Sequence, residues 1–239
     1  MSIEEVGTVA FGMVNAYVLK CEGSVVLVDS GVGGKFRKIE RSLASIGLDC
    51  TDVSLVVLTH SHYDHSGNLS ECKKTSRTPI AVHGAEVEAL RTGYSIMPKG
   101  ATKLGRLMVS LMSKVAGGGA SFEAVEPDIV LGADRDEPEG AGKKTAREQR
   151  FFDLHEYCFP CEAIHTPSLT AGSISLISDE GYCFPGDILF NIFPGTVMPL
   201  FADNPELLAS HWRLLLDRGA KTFYPGHGRP FGRDRLESA

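Results

Sequence analysis

Three histidines and one aspartate lie within six consecutive residues, directly after an apolar run at positions 55–58: His60, His62, Asp64 and His65. Because alternate residues of an extended chain point the same way, His60 and His62 can hold one ion together. Asp64 and His65 can turn toward a neighbouring position. Imidazole and carboxylate groups are the ligands that zinc and similar divalent metals prefer. The alternative, a surface histidine cluster with no ligand role, is disfavoured beside a buried strand, so the segment predicts a metal site.

Two further segments have the same form, an apolar strand followed by a small turn and one ligand-type side chain. A strand that begins at Tyr182 leads through Pro-Gly to Asp187, and a strand at Phe223 leads through Tyr-Pro-Gly to His227. Each residue alone could be a turn residue held by local backbone hydrogen bonds. Three strand ends that each deliver a ligand predict one cluster at a common edge of the sheets.

The succession of elements indicates a layered α/β or α+β fold, because runs of strands alternate with one or two helices. Apolar residues at helical spacing predict helices over 36–46 and 104–115. A last helix is predicted between Pro205 and Gly219, with Asn204 as its N-terminal cap. We therefore expect one domain over residues 1–239, with a helical and loop insertion at about 93–150.

The insertion leaves more than one interpretation open. Its amphipathic helix can pack on the core of the chain, form a homodimer interface over 100–116, or cover a substrate as a lid. The stretch 134–150 mixes both charge signs with Gly and Pro, which is typical of a solvated, mobile loop.

Composition narrows the class of partner. The chain of 239 residues is 43% hydrophobic and 23% charged, as in ordinary globular proteins. Its net charge of -6 argues against nucleic-acid binding, and no apolar run approaches the about 20 residues that span a bilayer. The first residues lack a secretory signal pattern, so we expect a cytoplasmic protein without membrane or nucleic-acid partners. In that compartment its six cysteines are expected to be thiols rather than disulfides.

Together, these segments resemble the metallo-β-lactamase superfamily of hydrolases. The matching motifs are His60-x-His62-x-Asp64-His65, Gly186-Asp187-x-Leu189-Phe190, Tyr224-Pro-Gly-His227-Gly, Val14-Asn-Ala-Tyr-Val18 and Val28-Asp29-Ser-Gly31. The resemblance implies an αββα sandwich, with two mixed β-sheets flanked by helices and two metal ions at one edge. It also implies a first metal held by His60 and His62, a second held by Asp64, His65 and His227, and Asp187 between both.

One departure from the family pattern concerns the first metal. The family supplies a further histidine from a segment of the form Thr-Pro-Gly-His-Thr-x-Gly-Ser, but here the segment reads Thr166-Pro-Ser-Leu169-Thr-Ala-Gly-Ser173. Leu169 cannot coordinate a metal. His165 lies four residues upstream, too far along an extended chain to replace it, and is expected to be packed or hydrogen-bonded beside the site. We expect the first position to bind metal more weakly than the second.

The resemblance implies a metal-dependent hydrolase of a small ester, thioester or lactone that acts through a metal-bound hydroxide. Asp64 would orient the nucleophile as the catalytic residue. Zinc is the expected cofactor, as one or two ions, and iron or manganese also suits these ligands. The alternative is a catalytically weakened or inactive member of the same fold that binds a metal or a ligand, for which Leu169 is the support.

Overall fold

The computed structural model describes residues 1–116, 119–132 and 150–238. Two six-stranded mixed β-sheets form its centre. The first sheet has the spatial order β1 (Ile3–Ala10), β2 (Asn15–Cys21), β3 (Ser24–Val28), β4 (Leu55–Val57), β5 (Ile80–His83) and β8 (Ile129–Leu131). Strands β1 to β3 are antiparallel neighbours, whereas β3, β4, β5 and β8 run parallel.

The second sheet joins the later strands of the chain. Its order is β16 (Phe231–Gly232), β14 (Thr222–Phe223), β12 (Tyr182–Phe184), β11 (Ile174–Ser178), β10 (Cys161–His165) and β9 (Phe151–Asp153). All pairs are antiparallel except β12 with β14. Two short pairs lie outside these sheets: β6 (Tyr94–Ile96) with β7 (Gly119–Ser121), and β13 (Phe190–Asn191) with β15 (His227–Gly228).

The chain has seven α-helices in its described residues. They are α1 (Arg37–Ser45), α2 (Tyr63–Ser66), α3 (Leu69–Ser76), α4 (Val87–Thr92), α5 (Lys103–Ala116), α6 (Leu208–Asp217) and α7 (Arg233–Glu237). Five of them, α1, α3, α4, α6 and α7, cover the outer faces of the sheets. The predicted helix over 36–46 is confirmed as α1, because Ile39 and Leu43 turn one face into the core and Gly47 follows with a φ of 77°.

Three apolar clusters hold the layers together. One lies between the sheets, where Leu19 and Val57 of the first sheet meet Leu176 and Phe184 of the second. A second cluster joins the first sheet to α1, α3 and α4, and a third joins the second sheet to α6 and α7. This arrangement confirms the αββα sandwich, because each sheet buries one face against the other sheet and one face against helices.

Strand direction determines where the chemistry collects. Strands β3, β4 and β5 run parallel in the first sheet, while β10, β12 and β14 share one direction in the second. The segments that follow their carboxyl ends include Asp29, the 60–65 cluster, Glu86, Leu169, Asp187 and His227. Side chains that are distant in sequence therefore meet at one edge of the sandwich.

Part of the predicted insertion, residues 94–121, forms the β6–β7 pair with α5 between its strands. Leu104, Leu107 and Leu111 of α5 are 49%, 57% and 56% exposed. The alternative in which this stripe packs on the chain's own core is therefore wrong. The predicted loop at 134–150 lies outside the described residues except for Arg150. No helix in the described ranges has the length and apolar character that a membrane crossing requires.

Two smaller predictions have different outcomes. All six cysteines are free thiols, as expected, and four of them are buried. Asn204 stands at the predicted N-terminal position directly before Pro205, but the expected capping bond is wrong, because its side-chain amide donates to the carbonyl of Pro167 at 3.2 Å. A 3-10 turn, Pro205–Leu207, leads into α6 instead. The side-chain amide of Asn204 pairs with Pro167, which is 37 residues away in sequence, and no local helix signal encodes that contact.

Candidate metal centre

The six predicted ligands meet in two groups. His60, His62 and Asp187 form one group, and the other contains Asp64, His65 and His227. Within each group, the potential ligand atoms all lie within 4.8 Å of one another. The division is the one that the family resemblance implies.

Asp187 lies between the two groups. Its Oδ2 is 3.9 Å from Nε2 of His60 and 3.1 Å from Nε2 of His227, and its Oδ1 is 3.2 Å from Nε2 of His65. The 3-10 turn Gly186–Ile188 after β12 places this carboxylate 5% exposed at the centre of the cluster. Because Oδ2 lies near a ligand atom of each group, this carboxylate is suited to bridge two ions.

The donor set fits divalent metal ions. The Nε2 atoms of His60, His62 and His65 and Oδ1 of Asp187 are buried, and none has an aligned hydrogen-bond partner among the described residues. Buried polar atoms without partners are costly, so a group of them around one space indicates a ligand. Neutral imidazole nitrogens and carboxylate oxygens are the donors that zinc, iron and manganese accept.

Asp29 orients histidines of both groups. Its Oδ2 accepts a hydrogen bond from Nδ1 of His65 at 2.8 Å. Its carboxylate also accepts the Thr59 hydroxyl at 2.9 and 3.0 Å, so the Thr59 oxygen accepts Nδ1–H of His60 at 3.0 Å. With hydrogen on Nδ1, both rings keep the Nε2 lone pair for a metal. Asp29 itself adopts a φ of 60°, a conformation that Asp tolerates better than most residues.

The pKa values divide the imidazoles into two kinds. Burial lowers the pKa of His60 well below its ordinary value and also lowers that of His62, so both rings are neutral. Burial alone would also lower the pKa of His65 and His227. The Asp187 carboxylate, helped by Asp29 at His65 and Asp64 at His227, outweighs it: the pKa of His65 is well above its ordinary value and that of His227 is about 9.

The carboxylates respond to the same charges. Burial raises the pKa of Asp187, but His227 and His65 outweigh it and hold the pKa well below its ordinary value. For Asp64, burial likewise raises the pKa, and the hydrogen bond from His227 reverses the sign. The centre therefore favours positive charge between its carboxylates, which a divalent cation supplies.

Gly226 allows the two halves of the cluster to approach. A Cβ atom at this position would lie 2.2 Å from Oδ1 of Asp187 and 2.7 Å from Cε1 of His65. Its amide donates to the carbonyl of Gly186 at 3.0 Å, which ties the His227 segment to the Asp187 turn. The glycine before His227 is thus required by the close packing of the site.

Leu169 occupies the place beside the first group where the family pattern has a histidine. It is 1% exposed and lines the same cavity as His62 and Asp187. Its backbone is fixed by two amides of the following segment: Asp203 donates to the Leu169 carbonyl at 3.1 Å and Asn204 to that of Ser168 at 2.9 Å. The side chain at position 169 therefore lines the cavity next to first-group ligands, but leucine offers them no donor atom.

A buried glutamate, Glu86, connects this loop to the histidine segment. Its Oε2 accepts the backbone amide of Ser61 at 3.1 Å and also the Ser61 hydroxyl, while its Oε1 accepts the Thr170 hydroxyl at 2.8 Å and the Gly172 amide at 2.7 Å. Ser61 stands between His60 and His62. The sequence analysis missed Glu86, because no local motif distinguishes it from a surface acid on a helix.

The histidines outside the cluster have structural places. His165 donates Nε2–H to the carbonyl of Ala171 at 2.8 Å and stacks on His83 with ring centroids 4.1 Å apart, which confirms the expectation that it is packed or hydrogen-bonded. Ser168 Oγ and His211 Nδ1 share a hydrogen bond at 2.5 Å. His155 pairs with Asp153 and Asp179 at the surface.

The fold and the two ligand groups define the class of this protein. The family model described as the metallo-beta-lactamase superfamily matches residues 9–227. The chain belongs to that superfamily.

Several curated proteins are similar along most of the chain. Acyl-coenzyme A thioesterase MBLAC2 of Bos taurus is 27% identical over 238 residues, which cover 93% of this chain and 75% of that protein. A probable metallo-hydrolase of Methanocaldococcus jannaschii is 25% identical over 210 residues, with 85% and 82% covered. These relatives support assignment to the metallo-hydrolases of the superfamily.

Solved structures share the fold. A metallo-beta-lactamase family protein from Thermus thermophilus superposes with a TM-score of 0.63 at 21% identity, covering 98% of this chain and 76% of that one. The MIM-2 metallo-beta-lactamase has a TM-score of 0.63 at 16% identity, covering 94% and 74%. At these identities the likeness concerns the fold alone.

Proposed function

We propose that this chain is a metal-dependent hydrolase of a small ester, thioester or lactone, with zinc as its metal. The observation that carries the proposal is the pair of ligand groups that meet at Asp187 with buried, unpartnered donor atoms. The relatives named as acyl-coenzyme A thioesterases favour the thioester within this set. We expect a small-molecule substrate and no nucleic-acid partner, since the net charge is -6.

The residues divide into metal ligands and one catalytic group. His60, His62 and Asp187 would hold one ion, and Asp64, His65 and His227 with Asp187 would hold the other. When bound, such ions polarise a carbonyl and lower the pKa of water to near neutrality. Iron and manganese remain alternatives to zinc with this donor set.

Asp64 is proposed as the catalytic residue. It lines the cavity of about 80 Å³ that opens beside the ligands, together with His62, Asp187 and His227. Its Oδ2 lies 3.5 Å from Nε2 of His227, which leaves Oδ1 to accept a proton from an attacking water. The low pKa of Asp64 keeps it ionised at neutral pH, so it can orient that water and pass the proton toward the leaving group.

A second candidate function is a metal- or ligand-binding protein of the same fold that hydrolyses nothing. Leu169 is the observation that favours it, because the first group has three protein ligands rather than four. Three protein ligands with an open position are, however, also the usual arrangement of catalytic zinc.

Metal content and turnover, measured on the same preparations, distinguish these functions. We expect at least one ion per chain by mass spectrometry and hydrolysis of a member of an ester, thioester and lactone panel. Asp64→Ala and Asp187→Ala should remove metal and activity together, whereas Asp217→Ala on the exposed end of α6 should change neither. Full activity in either site variant would refute the hydrolase. Stoichiometric metal without any turnover would favour the binding protein.

A further inference from the structure

The cavity beside the ligands has an apolar wall that the metal chemistry does not explain. Ile96, Met97, Pro98, Leu169 and Phe201 line it together with the metal-binding side chains. One end of a bound molecule would therefore lie against the ligands while the other end lies against hydrocarbon. Apolar surface in such a cavity binds hydrocarbon because both surfaces leave water.

The wall is held in place by hydrogen bonds. The hydroxyl of Ser95 accepts the Tyr63 amide at 3.2 Å, which joins β6 to the start of α2. Farther along, the backbone carbonyl of Lys99 accepts the Ala202 amide at 2.8 Å, and the carbonyl of Leu200 accepts the Ala101 amide at 2.9 Å. Phe201 is thereby fixed next to the segment that supplies Met97 and Pro98, so the cavity is formed before any ligand binds.

Leu169 has a role in this wall. Position 169, in the cavity that His62 and Asp187 also line, carries hydrocarbon instead of an imidazole, which makes the cavity more apolar. The replacement thus extends the apolar surface to the place where a reacting carbonyl would lie.

The segment that forms the wall also differs in charge from the rest of the chain. Residues 89–122 contain five Lys or Arg residues and no Asp or Glu, although acids outnumber Lys and Arg in the whole chain by 30 to 24. Lys99, Lys103 and Arg106 are exposed, and none forms an ion pair with any residue that the structure describes. Lys99 follows Pro98 of the wall directly, and the backbones of Gly105 and Arg106 approach Leu200 and Gly100 of the adjoining segments. Exposed cations on these segments attract a molecule with a negatively charged end.

We infer that the cavity binds the acyl chain of an acyl thioester whose carrier is anionic, and that Lys99, Lys103 and Arg106 attract the carrier. The identity of this occupant as substrate rests on the proposed hydrolase function. Its binding does not, because an apolar wall and nearby cations act on an inert analogue as well.

The size of the cavity limits the acyl chain. An apolar cavity of about 150 Å³ holds benzene, with six carbons. The cavity here, about 80 Å³, has room for roughly three carbons. A short acyl group such as butanoyl, with three carbons beyond its carbonyl, therefore fits. Carbons of a longer chain would reach the surface near Ile96, which is 75% exposed.

The test uses S-alkyl thioethers of coenzyme A, which have no scissile bond, from ethyl to decyl, bound to the metal-loaded protein and followed by calorimetry. We expect Kd to fall about fourfold for each methylene up to butyl, then to level off. Affinity that does not depend on the length of the alkyl chain would overturn the inference. A Kd that continues to fall by the same factor through decyl would also overturn it, because it would indicate an open apolar surface instead of a cavity.

Matched variants locate the binding. Met97→Ala should raise the Kd of the butyl thioether about three- to tenfold, whereas Met13→Ala, on another exposed part of the chain, should not change it. Lys103→Ala with Arg106→Ala should raise it about two- to tenfold at low salt and less at high salt, unlike Lys35→Ala with Arg41→Ala. Equal effects of site and control variants would contradict the assignment.

Hydrolysis of the corresponding acyl thioesters, measured in parallel, separates the two proposals. Chain-length-dependent binding with no hydrolysis of any thioester would refute the thioesterase and leave the acyl site standing. Hydrolysis with no chain-length dependence in binding or in kcat/KM would support the hydrolase and refute the acyl site.

Discussion

Asp29 accepts a hydrogen bond from Nδ1 of His65 at 2.8 Å, and through Thr59 it also fixes the ring of His60. One carboxylate thus orients a histidine in each ligand group. Because partners of this kind set the tautomer and basicity of a ligand, Asp29 contributes to metal affinity without touching the metal.

Asp29→Asn should weaken metal binding about 10- to 100-fold, because the amide keeps the size of the side chain but loses its charge. Competition with a chelator of known affinity measures the change. Asp217→Asn, on the exposed end of α6, is the control and should bind metal as the unmodified chain does. Unchanged affinity in Asp29→Asn would show that the orientation of the two rings does not depend on the charge.

Leu169→His should increase metal occupancy toward two ions per chain. The carbonyls of Ser168 and Leu169 already accept hydrogen bonds from Asn204 and Asp203, so the backbone is held at the cavity that His62 and Asp187 line, where a new imidazole can add a donor. Metal per chain after dialysis measures the effect, with Leu169→Gln as a polar control of similar size. Should occupancy stay the same in both variants, the first position is not limited by the missing histidine.

Glu86→Ala should lower both stability and first-group metal binding. It leaves the buried amides of Ser61 and Gly172 without their acceptor, which costs roughly 2–5 kcal/mol. Glu86→Gln keeps one acceptor oxygen and should lose less of both. Urea unfolding and metal titration of the two variants test this, and a normal metal titration in folded Glu86→Ala would contradict a positioning role.

The stability of the metal-free protein should fall as the pH drops from about 6.5 to about 4. Burial, assisted by His165, lowers the pKa of His83 from 6.5 to about 4. Between these values the unfolded chain binds a proton that the folded chain does not, so folding loses free energy as the pH falls.

His83→Phe keeps the stack on His165 but cannot take up the proton. We expect its urea midpoint to fall less between pH 7.5 and 4.5 than that of the unmodified chain, with chelator present in both. His155→Gln serves as a contrast. Asp179 and Asp153 raise the pKa of His155, so the loss of this residue should make the urea midpoint fall more, not less, over the same pH range. Equal pH dependence in His83→Phe and the unmodified chain would show that His83 does not titrate as described.

The exposed stripe of α5 should mediate a homodimer. Leu107 and Leu111 are more than half exposed and lie one turn apart, so Leu107→Glu with Leu111→Glu should shift the sedimentation coefficient from dimer to monomer. Leu207→Glu, at an exposed leucine outside α5, should leave the dimer intact. A monomeric unmodified chain would make the predicted interface wrong.

Much of the candidate site follows from local patterns, while its supporting residues do not. His60, His62, Asp64 and His65 are adjacent in sequence and follow a buried strand, so their spacing alone indicates a metal site. Asp29 was visible only as part of a family motif. Glu86 was not visible at all, since its partners lie 25, 84 and 86 residues away.

The same distinction separates helix positions from helix packing. The 3.6-residue period of the leucines predicts α5, but nothing in that period tells which surface covers them, and Leu104 remains 49% exposed. Asn204 has the ordinary features of a helix cap. Its side-chain amide instead donates to the carbonyl of Pro167, a residue 37 positions away.

The amino-acid sequence by itself determined the ligand types, the strands that end at them and the layered fold, because hydrophobic period and metal-ligand chemistry are local properties of a chain. Only the tertiary structure decided the distances from Asp187 to the ligands of both groups, that Glu86 joins two loops, and that Leu169 lines an apolar cavity. All three depend on the distances between strand ends. Those distances are set by how two twisted sheets pack against each other rather than by the order of neighbouring residues.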